Sequence, residues 1–187
     1  YFKSDFSKHA TNNKTSFTNS NQSLQLGMAS IKLDHTNGNF AGTVDFDPSP
    51  STSSLSATLS DGFIAEYNNS GQFVQTVHVQ GTGSNGLTKI KKFNSDGWLL
   101  TGSLNSGTVD LDPGAGTVSF NNSDVKAIFF TELDVNFNYV TGGGLAGGEN
   151  VIVDLFQANN GRVYLNGHFK NTVDFDPGAS VASQTSS

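Results

Sequence analysis

The chain has 187 residues, a formal net charge of -6, no cysteine, and only 14% charged residues. An acidic surface poor in Lys and Arg argues against nucleic acid or an anionic membrane as partner, and the lack of cysteine removes disulfides and thiolate metal sites. No apolar run approaches the roughly 20 residues that a membrane-spanning helix needs.

The 21 Gly, the 15 Phe and the abundance of Asn, Ser and Thr suit short β-strands joined by turns better than helices. The chain opens on Tyr1 rather than Met, which points to a processed or trimmed segment with any signal peptide out of view. Residues 1–23 read as an irregular N-terminal segment. Asn13, Asn21, Asn68 and Asn121 each begin a glycosylation sequon, a match that a chain rich in Asn and Ser produces by chance.

From Leu24 the apolar residues alternate. Leu24 and Leu26, then Ile31 and Leu33, keep the period of two of a half-buried strand, and Asn37-Gly38 is a hairpin signal. Residues 24–60 read as a partial first repeat containing Val44-Asp45-Phe46-Asp47-Pro48. That tetrad and its proline return as Val109-Asp110-Leu111-Asp112-Pro113 and as Val173-Asp174-Phe175-Asp176-Pro177, at a nearly constant interval. Recurrence at a fixed interval is the signature of a repeat architecture.

Residues 61–123 form the second repeat, with strands expected at 63–67, 73–79, 87–93 and 98–104. Residues 124–187 form the third, with Phe129 to Leu133 answering Phe63 to Tyr67 and Val163 to Phe169 answering Trp98 to Leu104. Asp96-Gly97 and Asn160-Gly161 mark type I′ hairpins. One position breaks the match: Gly71 is met by Phe137, so that turn is expected to be built differently. The expected fold is all-β: tandem four-stranded antiparallel units of about 65 residues, β-propeller-like, with a β-sandwich as the alternative. Each unit is expected to be one sheet packed face to face on the next, with Phe46, Leu111 and Phe175 in equivalent buried positions.

Gly38-Asn39-Phe40 to Pro48, Gly167-His168-Phe169 to Gly178, and Phe63-Ile64-Ala65-Glu66-Tyr67 carry a resemblance. The chain resembles the seven-bladed propeller repeats of large secreted bacterial proteins, over roughly residues 31–178, with Glu66 and Glu132 where such repeats usually have Lys. The resemblance implies a secreted or cell-surface location in bacteria, and further copies of the same repeat as partners. The chain is then a fragment of a longer repeat protein. A scaffold of this kind serves many roles.

The tetrads are the main candidate site. At a period of two, Asp45 and Asp47 share one face, as do Asp110 and Asp112, and Asp174 and Asp176. Two carboxylates about 7 Å apart beside a turn suit a hard cation such as calcium. The competing reading is a turn alone, with Asp47, Asp112 and Asp176 accepting a backbone N–H before Pro; it leaves Asp45, Asp110 and Asp174 unexplained. His9, His35, His78 and His168 form no metal spacing, although His78 or His168 beside a carboxylate would make an acid–base pair. Gly142-Gly143-Gly144 lacks the Lys-Ser/Thr of a phosphate loop. Trp98, Tyr139 and Tyr164 suit either a core or a sugar-stacking surface. The function expected is a non-catalytic binding, adhesive or structural module that meets a protein or glycan ligand. The alternative is a carbohydrate-binding or carbohydrate-active domain, where two carboxylates at a set separation would be required.

Overall fold

The computed structural model describes residues 38–93, 97–123, 125–158 and 162–187. The expected strands at Leu24–Leu26 and Ile31–Leu33, His9 and His35, Asn13 and Asn21, and most of the three Asn-Gly or Asp-Gly turns lie outside them. Thirteen strands are found among the described residues, and no helix. The described residues therefore offer no helix long and apolar enough to cross a membrane.

The strands group into open sheets that do not close into a ring. β1 (Asn39–Asp45), β2 (Ser54–Tyr67) and β3 (Phe73–Val79) form the first. β4 (Asn85–Phe93), β5 (Gly97–Leu104), β8 (Ala127–Asp134) and β9 (Tyr139–Leu145) form the second, a four-stranded antiparallel meander. Between β5 and β8 the chain leaves that sheet for the small hairpin β6 (Gly107–Asp110) and β7 (Ser119–Asn122). β10 (Glu149–Gln157) and β11 (Val163–Lys170) pair as a third sheet, followed by the hairpin β12 (Thr172–Asp174) and β13 (Ser183–Thr185).

This partition corrects the expected unit. The strands at 63–67 and 73–79 belong to one sheet, and those at 87–93 and 98–104 to the next, where they pair with β8. The sheets are therefore offset by half a sheet from the repeats expected from the sequence. The third copy repeats the second in detail, because β10–β11 has the register of β4–β5 one repeat later. The irregularity between Leu87 and Lys89 recurs between Ile152 and Asp154.

Because side chains alternate across a strand, the central sheet presents two faces, and both are covered. Leu100, Leu104, Phe129 and Leu133 pack with Val77 and Val79 of the first sheet and with Val109 and Leu111 of the β6–β7 hairpin. On the opposite face Leu99 meets Leu155 and Leu165, while Ile128 and Leu145 meet Val173. Lys91 donates to the Leu155 carbonyl and lies 3.0 Å from Asp154, tying β4 to β10 at the rim. The first sheet has its own core of Phe40, Phe46, Ala57 and Ala65, with the Phe46 and Phe63 rings 4.7 Å apart. Burying each Leu or Phe contributes about 1.5–3 kcal/mol, so these clusters between sheets dominate the stability of the stack.

Phe46 and Leu111 are buried as expected, at 8% and 2% exposure, whereas Phe175 is 39% exposed and only edges onto Phe169. The turn at Phe137 is also corrected. Gly71 has φ 75° and Phe137 φ 63°, and the hydrogen bonds around them match. Gly71 N–H donates to Asn68 O at 2.8 Å and Phe137 N–H to Asp134 O at 3.1 Å. Asn68 Oδ1 and Asp134 Oδ1 each accept two amides of the turn. The turn is the same, with a phenylalanine held in the left-handed conformation that glycine adopts freely.

Candidate functional site

The three tetrads fold into one recurring loop. Asp45 Oδ1 accepts the Asp47 amide at 3.0 Å and, further along the chain, the Ser53 amide at 2.8 Å. Asp110 Oδ1 accepts Asp112 N–H at 3.0 Å and Val118 N–H at 2.9 Å. Asp174 Oδ1 accepts Asp176 N–H at 3.0 Å and Ala182 N–H at 2.8 Å. The second acid of each pair holds the turn itself: Asp47, Asp112 and Asp176 accept the amides of Ser49, Gly114 and Gly178 at 2.8, 2.8 and 2.7 Å.

The first acid thus clamps the two ends of the loop together, and the second sets the direction in which it leaves the strand. A carboxylate accepting backbone amides is favoured in its charged form. The amides of Ala182 and Asp176 accordingly hold the Asp174 carboxyl below the ordinary aspartate value. The role of the first acid, left open by the turn reading, is loop closure. Its signal in the sequence is weak, because the closing amides come from Ser53, Val118 and Ala182, three unlike residues. Each pair serves its own loop, and among the described residues no three His, Asp or Glu side chains converge in a manner that could hold a metal ion. In the first copy Tyr67 Oη donates to the Phe46 carbonyl at 2.7 Å; burial, then the nearby Asp47 and Asp45 charges, raise its pKa.

A second cluster joins His78 to a carboxylate. Asp61 is buried and lies 2.9 Å from His78 Nε2, while Asn85 Nδ2 donates to Asp61 Oδ1 at 2.8 Å. Asn85 Oδ1 in turn accepts Gly62 N–H at 2.9 Å. These residues bind the first sheet to the second through side chains, across the step from β2 to β4. In the central sheet the positions of Asp61 and His78 are held by Ala127 and Gly144, and the Phe120 ring fills the space over Gly144. His78 sits against Phe40 at 5.2 Å, and so plays the part in the first sheet that Phe120 plays in the second. The sequence clue is Asp61, a charged residue in mid-strand. His168, by contrast, stays exposed on β11, and among the described residues no carboxylate is hydrogen-bonded to it.

Trp98 is partly buried and stacks on Phe137, and Tyr139 packs against the same core, so neither offers a sugar platform. Tyr164 is 52% exposed, with the exposed Phe156 ring 6.4 Å away on the outer face of the third sheet. Gly142, Gly143 and Gly144 lie in β9, where a Cβ would collide with the Phe130 carbonyl at Gly142 and the Phe120 ring at Gly144, and would crowd Pro177 at Gly143. Their smallness serves packing. Compared with protein-family models, with curated proteins and with solved structures, the chain finds no match.

Proposed function

We propose that the chain is a non-catalytic binding, adhesive or structural module of a secreted or surface-displayed bacterial protein, built from propeller-type repeats. The observation that carries this reading is the thrice-built loop. Its acids are used for holding the loop, with the same bonds each time, while its tip changes in sequence from residues 48–52 to 113–117 to 177–181. A fixed frame that presents differing tips is how scaffolds place ligand contacts on loops.

The test is to incubate the chain with immobilised polysaccharides and cell-surface proteins, and separately with chromogenic glycosides. Saturable binding without turnover supports the module. Turnover that falls when an aspartate is replaced would establish a carbohydrate-active enzyme instead. A glycan-binding variant of the module is favoured by one observation, the exposed pair Phe156 and Tyr164, since neighbouring aromatic faces suit a sugar ring. In that case Tyr164→Ala lowers glycan affinity and leaves the melting temperature unchanged.

A further inference from the structure

The two interfaces of the central sheet are built alike but filled unequally. Toward the first sheet, β5 is flanked by β8, and Phe129 and Leu133 of β8 are fully buried against Leu111. Toward the third sheet, β11 stands where β5 stood, and pairs only with β10 among the described residues. The residues that β8 would cover are open there: Val163, the counterpart of Trp98, and Phe175, the counterpart of Leu111, are both 39% exposed. Between them and the central sheet runs a groove of about 370 Å³, lined by Leu99, Phe130, Leu145, Val163, Leu165 and Phe175.

Glycine specifies what fits. In the central sheet Gly102 lies opposite Phe129, and a Cβ on Gly102 would run into the Phe129 ring on one side and the Gly86 carbonyl of β4 on the other. In the first sheet Phe63 N–H donates to the Gly38 carbonyl at 3.2 Å, so the counterpart glycine again faces the counterpart phenylalanine. The matching position on β11 is Gly167, opposite Ile152 on its paired edge and unoccupied by any strand on its other edge among the described residues. A glycine in mid-strand weakens the strand unless another group approaches closely. Of the three glycines, Gly102 lies under a phenylalanine ring, and Gly38 accepts a backbone bond from the counterpart phenylalanine.

We propose that the edge of β11 that carries no strand among the described residues is a docking site for one hairpin of a further repeat unit, of the β8–β9 type. Its first strand adds antiparallel to Val163–Lys170, lays an aromatic ring across Gly167, and inserts an aliphatic side chain further along the same face, beside Val163 and Phe175. Backbone bonds along the edge supply affinity and the side chains at alternate positions supply specificity, as in other strand additions. This deepens the module reading by naming a partner. It rests on that reading only for the kind of protein involved, since the groove and the edge stand on their own geometry.

The experiment uses the full chain and a synthetic peptide of residues 125–145, the chain's own β8–β9 hairpin. Saturable binding in titration calorimetry, with slower amide exchange confined to β11 and the β12–β13 hairpin, is the expected result. Gly167→Val in the chain should weaken binding at least about tenfold, equivalent to about 1.4 kcal/mol. Circular dichroism and thermal melts establish whether the variant keeps its fold, because the counterpart Gly102 is also approached by the Gly86 carbonyl of its paired strand; the peptide variant decides the matter if it does not. The peptide carrying Phe129→Ala should weaken binding to a similar degree. Unaltered affinity of Gly167→Val, absence of binding, or a chain that dimerises through β11 instead of taking the peptide would each overturn the proposal. None of those outcomes touches the glycan and turnover assays, which decide the module reading separately.

Discussion

Trp98 and Phe137 stack with ring centroids 5.7 Å apart and planes within 7° of parallel. The stack explains how a non-glycine residue is kept at φ 63°, since burial and ring contact offset a backbone cost of about 1–2 kcal/mol. Phe137→Gly relieves the backbone yet loses the buried ring, and should destabilise by about 2 kcal/mol in urea melts. Gly71→Ala places a side chain in the same conformation with no ring to bury, and should cost about 1 kcal/mol. A Phe137→Gly variant at least as stable as the parent would show that the stack contributes nothing.

The loop clamp reverses the order expected from a turn alone. Asp110 accepts two amides and closes the loop, whereas Asp112 accepts one. Asp110→Ala should therefore cost about 2 kcal/mol and Asp112→Ala about 1 kcal/mol, on the scale of charge-assisted bonds to backbone. Equal losses in thermal melts would deny Asp110 its closing role.

Calcium offers an independent check on the same six acids. A ligand bound only to the folded state adds RT ln(1 + [L]/Kd), about 2.7 kcal/mol at a hundredfold excess over Kd. With Asp45, Asp110 and Asp174 engaged by backbone amides, the expected melting temperature is the same in millimolar calcium, in magnesium and in chelator. A calcium-specific rise lost in Asp110→Asn would establish the metal site.

Acid should loosen the loops. Backbone amides hold Asp174 below its ordinary value of 3.8, and bonds from Asn138 do the same for Asp134. A depressed folded pKa contributes stability that is present above 3.8 and is lost as pH falls through the lower folded value. Amide exchange of Ala182 and Asn138 should therefore quicken below that window ahead of global unfolding. Uniform protection down to the global transition would contradict this.

Glu132 has the opposite sign. Burial beside the groove raises its pKa above 4.5, so its charge destabilises the folded state near neutral pH. Glu132→Gln should raise stability at pH 7, with the advantage shrinking as pH falls through the raised folded value and gone below 4.5. A difference that persists at low pH would assign the effect to packing.

The strands themselves are legible in the sequence because alternation and turn residues mark them, as at Phe73 to Val79. Their grouping is not. β5 and β8 pair residue for residue, but the β6–β7 excursion separates them along the chain and hides the partnership. Nor does β5 alternate visibly, since Leu99, Leu100, Thr101 and Leu104 are all buried when both faces of a sheet are covered. Phe137 misleads for a related reason: local backbone preference is weak against a stacking partner, Trp98, that stands on a different strand far back along the chain. The Asp61–Asn85–His78 cluster is half visible, as an odd charge in mid-strand whose partners lie on other strands.

The half-sheet offset between repeat and sheet has an evolutionary and mechanical side. A duplicated copy of the repeat would not arrive as a finished layer. It would complete the sheet left open by its predecessor and open another in turn, like courses of overlapping tiles. Tension applied along the chain would then meet strand pairs formed between neighbouring copies, and no copy could peel off without breaking a ladder that belongs partly to the next. Cuts for shortened variants belong at residues 80–84, between β3 and β4, because a cut between β7 and β8 would divide the central sheet down the middle.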